Sequence, residues 1–177
     1  MPRSQQPSEG EQLIVVKLLA QRDSRVLDIG CGDGKWSELL FHKVAKLDGL
    51  EVWLPYINTY DLRSKYDTLY NIDMRHFETF ENYNVVILGD VLEHIPYNDA
   101  VQFINKLKRH SLTVYLIIPI SLCIQDGTVY GNPHETHVYQ WTHEELKALG
   151  FSQIHVGYNP NGLVKIGTYE LICGGSK

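Results

Sequence analysis

The sequence predicts an α/β fold, a single doubly wound and mostly parallel sheet of seven strands with helices on both faces and an antiparallel last strand. Three observations support this prediction. Short apolar runs alternate with amphipathic stretches almost from end to end. A glycine-rich turn at 30–34 separates the first apolar run from a helical pattern. Acidic residues follow later runs, at the strand ends where ligands of such sheets bind.

The first half of the chain supplies four of the seven strands. The apolar run at 25–29 has the character of a buried parallel strand. Behind the glycines, apolar side chains recur at helical spacing. The predicted elements are helices at 12–21, 35–44 and 56–66, and strands at 25–29, 50–53, 68–72 and 84–89.

The second half continues the alternation and closes with two strands. Thr142 is predicted to cap a helix, because Glu145 three places later completes a capping box. The turn at 159–162 has the composition of a hairpin, so the last two strands are expected to run antiparallel. The predicted elements are a helix at 100–110 and strands at 112–118, 151–158 and 167–173.

The chain is expected to form one domain over residues 1–177. Its 44% hydrophobic and 21% charged content is ordinary for a globular protein, and 177 residues suffice for a full core. The polar segment 1–10 is predicted to be a flexible tail. The segment 121–140, rich in Gly, Asn, Pro and His, is predicted to be an active-site loop, since loops of that length in compact domains are usually functional.

Charge and cysteine content narrow the class of partners. The net charge of −5 and the lack of a basic stripe disfavour nucleic acid. Three scattered cysteines predict no disulfide framework or zinc site and suit a reducing compartment. No apolar run approaches the roughly 20 residues of a membrane span, and no signal peptide is recognisable, so a cytoplasmic location is expected. The oligomeric state stays open.

The glycine-rich turn is the main pointer to chemistry. Without Cβ atoms, a ligand can lie directly against the backbone. The pattern is Gly-x-Gly-x-Gly, and Lys35 occupies the place where the dinucleotide fingerprint has its third glycine. This departure, with the lack of room for a second domain, disfavours a nicotinamide-dependent oxidoreductase.

Together these segments resemble a known family. The stretch VLDIGCGDG at 26–34, the acids Glu51 and Asp73, and VVILGDVLEHIP at 85–96 are similar to class I S-adenosylmethionine-dependent methyltransferases over nearly the whole chain. The resemblance implies S-adenosylmethionine as cofactor. It also implies a set of cofactor-binding residues: Asp28, Gly30, Cys31, Gly32, Gly34, Glu51, Val52, Asp73, Met74 and Asp90.

Three acids in this set have individual expected roles. Asp28 heads the glycine turn and is expected to accept a hydrogen bond from the cofactor ammonium. Glu51 stands 23 positions later, near the roughly 20-residue offset at which an acid binds ribose hydroxyls in related folds. The resemblance assigns Asp73 to the adenine amino group. Asp33 is interpreted as a turn or capping residue.

Histidines are the candidate catalytic groups. The cofactor already activates the methyl group, so the protein has to align the acceptor and remove a proton. His94 follows the fourth strand, and His137 lies in the long loop. Either is a natural base near neutral pH. The favoured function is therefore methyl transfer to an oxygen or nitrogen atom of a small-molecule acceptor, with no metal.

Two alternatives remain open. Asp90, Glu93, His94 and His137 resemble the acid-x-x-acid-His set and later His that hold a divalent metal in RNA 3′-end 2′-O-methyltransferases. This would give a metal-assisted enzyme acting on a sugar or RNA end. The first acid here is Asp where that family has Glu, which weakens the match. The second alternative is a non-catalytic protein that binds S-adenosylmethionine and works through a partner.

Overall fold

The computed structural model describes residues 7–21, 23–110 and 112–174. They form one sheet of seven strands: β1 (Arg25–Ile29), β2 (Lys46–Leu50), β3 (Thr68–Tyr70), β4 (Val85–Gly89), β5 (Thr113–Pro119), β6 (Ser152–Tyr158) and β7 (Lys165–Ile172). Their spatial order is β3-β2-β1-β4-β5-β7-β6. The first five run parallel, and β7 is antiparallel to both β5 and β6. The predicted fold class is confirmed.

Five α-helices accompany the described strands: α1 (Glu9–Leu19), α2 (Lys35–Leu40), α3 (Leu54–Thr59), α4 (Tyr97–Leu107) and α5 (His143–Ala148). Ser8 and Glu11 form a capping box that starts α1, so part of the predicted tail 1–10 is helical. Residues 1–6 of that tail lie outside the described residues. Helix α2 ends earlier than predicted because Phe41 has an extended ψ of 134° and His42 a positive φ of 60°, neither of which a right-handed helix contains.

The predicted position of the second strand is wrong. The sequence pattern predicts this strand at 50–53, whereas β2 covers Lys46–Leu50. Asp48 and Gly49 interrupt its apolar pattern. Asp48 is nevertheless fully buried, because its carboxylate accepts from the Tyr83 hydroxyl at 2.5 Å and contacts the Lys46 ammonium at 2.7 Å. A paired acid is tolerated inside, although composition alone suggests a loop.

Each face of the sheet carries its own hydrophobic core. Because side chains alternate along a strand, Leu27 and Ile29 of β1 enter one core and Val26 enters the other. The first core includes the inner face of α4, and the second includes α1 and α2. This alternation determines which residues of β1 face the cleft described below.

Two findings bear on the predictions about membrane spans and cysteines. Within residues 7–21, 23–110 and 112–174, every helix is too short or too polar to cross a membrane. Cys31, Cys123 and Cys173 are free thiols.

Candidate active site

A cleft opens at the carboxyl ends of the parallel strands and occupies about 790 Å³ including its open mouth. Eight predicted site residues line it: Gly30, Gly32, Glu51, Val52, Asp73, Met74, Asp90 and His94. They follow β1, β2, β3 and β4, so the strand ends converge as the sequence predicted.

The glycine turn leaves space for a ligand against its backbone. Gly30 and Gly32 have φ values of 72° and 56°, which favour glycine. A Cβ on Gly32 would meet no atom closer than the Gly30 carbonyl oxygen at 3.8 Å, so the space beyond it is open cleft. The residues therefore fit a cofactor that approaches the main chain closely.

Glu51 joins the glycine turn to the end of β2. Its two carboxylate oxygens accept hydrogen bonds from the N–H of Gly32 at 2.9 Å and the N–H of Trp53 at 2.8 Å. The side chain is 5% exposed, and burial raises its pKa above the ordinary value. Glu51 is thus held rigidly at the cleft wall, in the position expected for a group that binds ribose hydroxyls.

Three predicted cofactor-binding residues do not line the cleft: Asp28, Cys31 and Gly34. The Asp28 carboxylate accepts from the Tyr66 hydroxyl at 2.6 Å on the other face of the sheet, because Asp28 has the same strand parity as Val26. Burial raises its pKa to about 7. Cys31 packs in the same core, and Gly34 lies against Leu62 and Lys65. The predicted contact of Asp28 with the cofactor stays a prediction.

Asp73 lines the cleft but already has a charged partner. Arg75 contacts its carboxylate at 2.6 Å and reaches Asp99 at 2.8 Å with its other terminal nitrogen. The guanidinium lowers the pKa of Asp73. Asp73 also caps the short turn Met74–His76. An ionised acid is therefore fixed at the end of β3, and Met74 places apolar surface beside it.

Asp90 stands at the end of β4 in a strained conformation. Its φ of 53° is unusual for a residue with a Cβ, and its N–H donates to the Ile117 carbonyl. Burial raises the pKa of Asp90 to about 6, with a further contribution from the charge of Glu11. Such outliers persist where the surrounding structure holds them, and they cluster at functional sites.

Glu93, His94 and His137 converge at the side of the cleft. One potential ligand atom from each lies within 4.8 Å of the others. His94 Nδ1 is 3.1 Å from the Thr136 carbonyl, and His137 Nδ1 is 2.7 Å from the Cys123 carbonyl. A carbonyl only accepts, so each Nδ1 carries the proton and the lone pair of each neutral ring is on Nε2. The Nε2 of His137 has no partner among the described residues. Asp90, the fourth member of the predicted metal set, is not part of this convergence.

Two of these three residues, Glu93 and His137, hold buried polar atoms that are not satisfied. Both carboxylate oxygens of Glu93 and the Nε2 of His137 are buried without a hydrogen-bond partner among the described residues. Burial raises the pKa of Glu93 and lowers that of His94 to about 4. Buried polar atoms normally have partners, so these residues form a candidate ligand site. A carboxylate with two imidazoles suits a divalent cation without selecting one metal.

The long loop completes the cleft and contributes residues that the sequence did not single out. It contains two 3-10 turns, Gly127–Tyr130 and Pro133–Glu135. Asn132, His134 and Glu135 line the cleft, and the His134 ring lies 5.6 Å from that of Trp53. These three loop residues reach the cleft because the loop crosses to the side of the sheet where β2 ends. The only signal in the sequence was their membership of the predicted active-site loop.

A family model described as "Methyltransferase domain" matches residues 9–117 of the chain. This range contains the glycine turn, Glu51, Asp73 and the segment from Asp90 to His94. No curated protein sequence matches the chain significantly.

Three solved structures illustrate the likeness in fold. Magnesium protoporphyrin IX methyltransferase from Synechocystis PCC 6803 with bound SAH has 21% identity and a TM-score of 0.66, covering 96% of this chain and 90% of that one. The 1,6-didemethyltoxoflavin-N1-methyltransferase of Burkholderia thailandensis has 12% identity and a TM-score of 0.68, covering 93% and 78%. The N-methyltransferase NodS from Bradyrhizobium japonicum WM9 has 15% identity and a TM-score of 0.60, covering 92% and 97%.

Proposed function

We propose that this chain, which belongs to the methyltransferase-domain family, transfers a methyl group from S-adenosylmethionine to a hydroxyl oxygen of a small molecule at a site that holds a divalent cation. It is an S-adenosylmethionine-dependent methyltransferase of the class I fold. The acceptor and the cation are the proposal. The observation that carries them is the convergence of Glu93, His94 and His137, in which Glu93 and His137 have unsatisfied ligand atoms.

In the cofactor half of the cleft, the lining residues have separate roles. When bound, S-adenosylmethionine supplies a methyl group already activated on sulfur. Gly32 leaves the main chain accessible, Glu51 presents a fixed carboxylate, and Asp73 and Met74 line the far end. Alignment of acceptor and methyl group in such a site can supply roughly 7–11 kcal/mol of the barrier reduction.

The acceptor half is built from the β4 end and the loop. Glu93, His94 and His137 would hold the cation, which would act as a Lewis acid and lower the pKa of an acceptor hydroxyl. The Thr136 and Cys123 carbonyls orient the two rings, as outer partners do in metal sites. Three protein ligands leave coordination positions open for the acceptor. The net charge of −5 supports a small molecule over nucleic acid.

A second candidate uses the same residues without a metal. His94 lines the cleft, and its lowered pKa of about 4 keeps the imidazole neutral at neutral pH. With Nδ1 donating to the Thr136 carbonyl, Nε2 carries the lone pair that would accept a proton. In this version His94 is the general base, and the acceptor atom is oxygen or nitrogen.

One experiment separates the two candidates. The protein is incubated with labelled S-adenosylmethionine and pooled small hydroxyl and amine compounds, with and without a chelator. The metal-assisted function predicts labelled product from a hydroxyl compound, loss of product on chelation, and recovery with excess Mg²⁺ or Mn²⁺. Product formation that is unaffected by the chelator would contradict it and favour the base.

A further inference from the structure

The loop at 121–140 places a ring at the side of the cleft where β2 ends. His134 lines the cleft together with Gly32 and Glu51. Its ring centre lies 5.6 Å from that of Trp53, at an interplanar angle of 57°. The N–H of Trp53 in turn donates to the Glu51 carboxylate at 2.8 Å. The imidazole therefore stands beside the residue that holds the carboxylate expected to bind the ribose.

The turn that carries His134 is held in shape by the loop itself. Asn132 is buried, and its side-chain oxygen accepts from the His134 N–H at 3.0 Å. The side-chain amide of Gln125 donates to the Glu135 carbonyl at 2.8 Å. A Cβ on Gly127 would stand 2.2 Å from the Asn132 carbonyl oxygen, so these two parts of the loop pack closely. Because these contacts are internal to the loop, the turn is preorganised, which lowers the cost of binding a ligand there.

Among the loop residues on the cleft wall, His134 has the side chain that is available to a ligand. Asn132 shapes the turn, and the Glu135 carboxylate accepts from the Gln125 amide at 3.2 Å. His134 is exposed, so a ligand that enters the cleft can cover its ring. Flat side chains stack on any base, because every base has a π-face. Of the parts of S-adenosylmethionine, only the nucleoside offers such a face.

The sheet order places this ring at the nucleoside half of the cleft. Strand β2, whose end leads to Trp53, lies between β1 and β3. Asp73 and Met74, which follow β3, line the part of the cleft expected to receive the adenine. The groups of the acceptor half follow β4 instead, on the other side of β1. The contact with Trp53 therefore puts His134 on the nucleoside side.

We propose that His134 is a cofactor-binding residue whose ring covers the nucleoside half of S-adenosylmethionine from the loop side of the cleft. Neither the proposed cation nor the proposed acceptor is involved, because the contact is with the cofactor alone. The loop then serves both halves of the site. His134 closes the cofactor half, and His137 three residues later belongs to the converging set of the acceptor half.

Calorimetry with three ligands, in the presence of a chelator and without acceptor, tests this contact. S-adenosylmethionine, S-adenosylhomocysteine and 5′-methylthioadenosine share the nucleoside. Only the first carries the charge on sulfur, and only the first two carry the amino acid. His134→Ala is expected to weaken binding of all three about tenfold, the scale for one stacking contact with a base. His134→Phe should restore most of the affinity, because it keeps a flat ring.

His110→Ala is the matched control. The His110 ring lies 5.4 Å from that of Phe80 at an interplanar angle of 52°, so the variant removes the same kind of ring contact. His110 does not line the described cleft, and all three affinities should stay as in the wild type. An equal loss in His110→Ala would indicate a general effect on the fold and contradict the proposal.

Several results would overturn the assignment of His134. Unchanged affinity for all three ligands in His134→Ala would remove it from the cofactor site, and a loss confined to the two ligands with the amino acid would place it at that end. A Phe variant as weak as the Ala variant would mean that a ring nitrogen binds the ligand. Failure of the wild type to bind methylthioadenosine would also contradict the proposal, because a preorganised cover should hold the nucleoside alone. A uniform loss, with turnover that the chelator does not affect, would support His134 while contradicting the proposed cation.

Discussion

The N–H of Val138 donates to the backbone carbonyl of Glu93 at 2.8 Å, and the N–H of Tyr139 donates to the same oxygen at 3.2 Å. These bonds fasten the loop at 121–140 to the turn after β4. As a result His137, next to Val138, stands with its ring centre 4.8 Å from that of His94. A backbone contact thus assembles the candidate metal site from two distant segments.

Replacement of Glu93 by Gln should weaken binding of Mn²⁺ about a hundredfold, since it removes the only carboxylate of the converging set. Electron paramagnetic resonance of free Mn²⁺ measures this directly. Glu135→Gln is the matched control, because it makes the same change on a cleft residue outside the three and should alter affinity less than about fivefold. Equal losses in both variants would indicate a general effect of charge.

His94→Ala and His137→Ala should each lower turnover about a hundredfold or more if a cation is held between them, while S-adenosylmethionine affinity changes little. If His94 is a metal-free base, only its replacement should have this effect, because His137 does not line the cleft. Single-turnover assays with labelled cofactor and the acceptor found in the screen measure the difference. Full activity in both variants would exclude both roles.

Glu51→Ala should weaken S-adenosylmethionine binding by roughly 1–3 kcal/mol, the scale for losing hydrogen bonds to a charged group. Gly32→Val should abolish binding, since its side chain would occupy the open space beside the turn and strain a φ of 56°. Isothermal calorimetry measures both. Glu78→Gln, in a surface ion pair with Lys106, should bind as the wild type does. Unchanged affinity in the first two variants would remove the cleft as the cofactor site.

Asp28→Asn should stabilise the fold, and more so at alkaline pH. Burial raises the pKa of Asp28 from 3.8 to about 7, so the folded state holds a proton that the unfolded state loses between these values. Ionisation then costs stability as the pH rises from about 4 to 7. The gain in unfolding free energy from Asn should be larger at pH 8 than at pH 5 by about 2–3 kcal/mol. Urea denaturation at both values tests this.

The same variant tests the predicted contact of Asp28 with the cofactor ammonium. If the contact forms, Asp28→Asn should weaken S-adenosylmethionine binding although it stabilises the protein. If the carboxylate accepts only from the Tyr66 hydroxyl, the affinity for S-adenosylmethionine should not change. An equal gain in stability at pH 5 and pH 8 would instead contradict the assigned pKa shift.

Expectations based on local patterns agree with the structure where backbone sterics dominate. The glycine turn adopts positive φ values at Gly30, Gly32 and Gly34, and the predicted capping box of Thr142 and Glu145 starts α5. Such features depend on a few neighbouring residues, so they are visible in the sequence. The capping box at Ser8 was not predicted, because it lies in the segment expected to be a flexible tail. The sequence pattern misplaces β2 because it does not reveal how the buried Asp48 is paired. The Tyr83 hydroxyl that donates to Asp48 comes from a distant part of the chain, and the Lys46 ammonium comes from the same strand.

The sequence by itself determined the succession of strands and helices along the chain, the edge of the sheet where the cleft opens, and the resemblance to the methyltransferase family, because periodicity, glycine positions and short motifs are local properties of the chain. Only the tertiary structure decided that Asp28 turns away toward Tyr66, that Glu93, His94 and His137 meet, and that the loop brings His134 beside Trp53. These relationships depend on which face a side chain takes and on how distant segments pack. A one-dimensional pattern does not contain that information, since packing arises from the whole core at once.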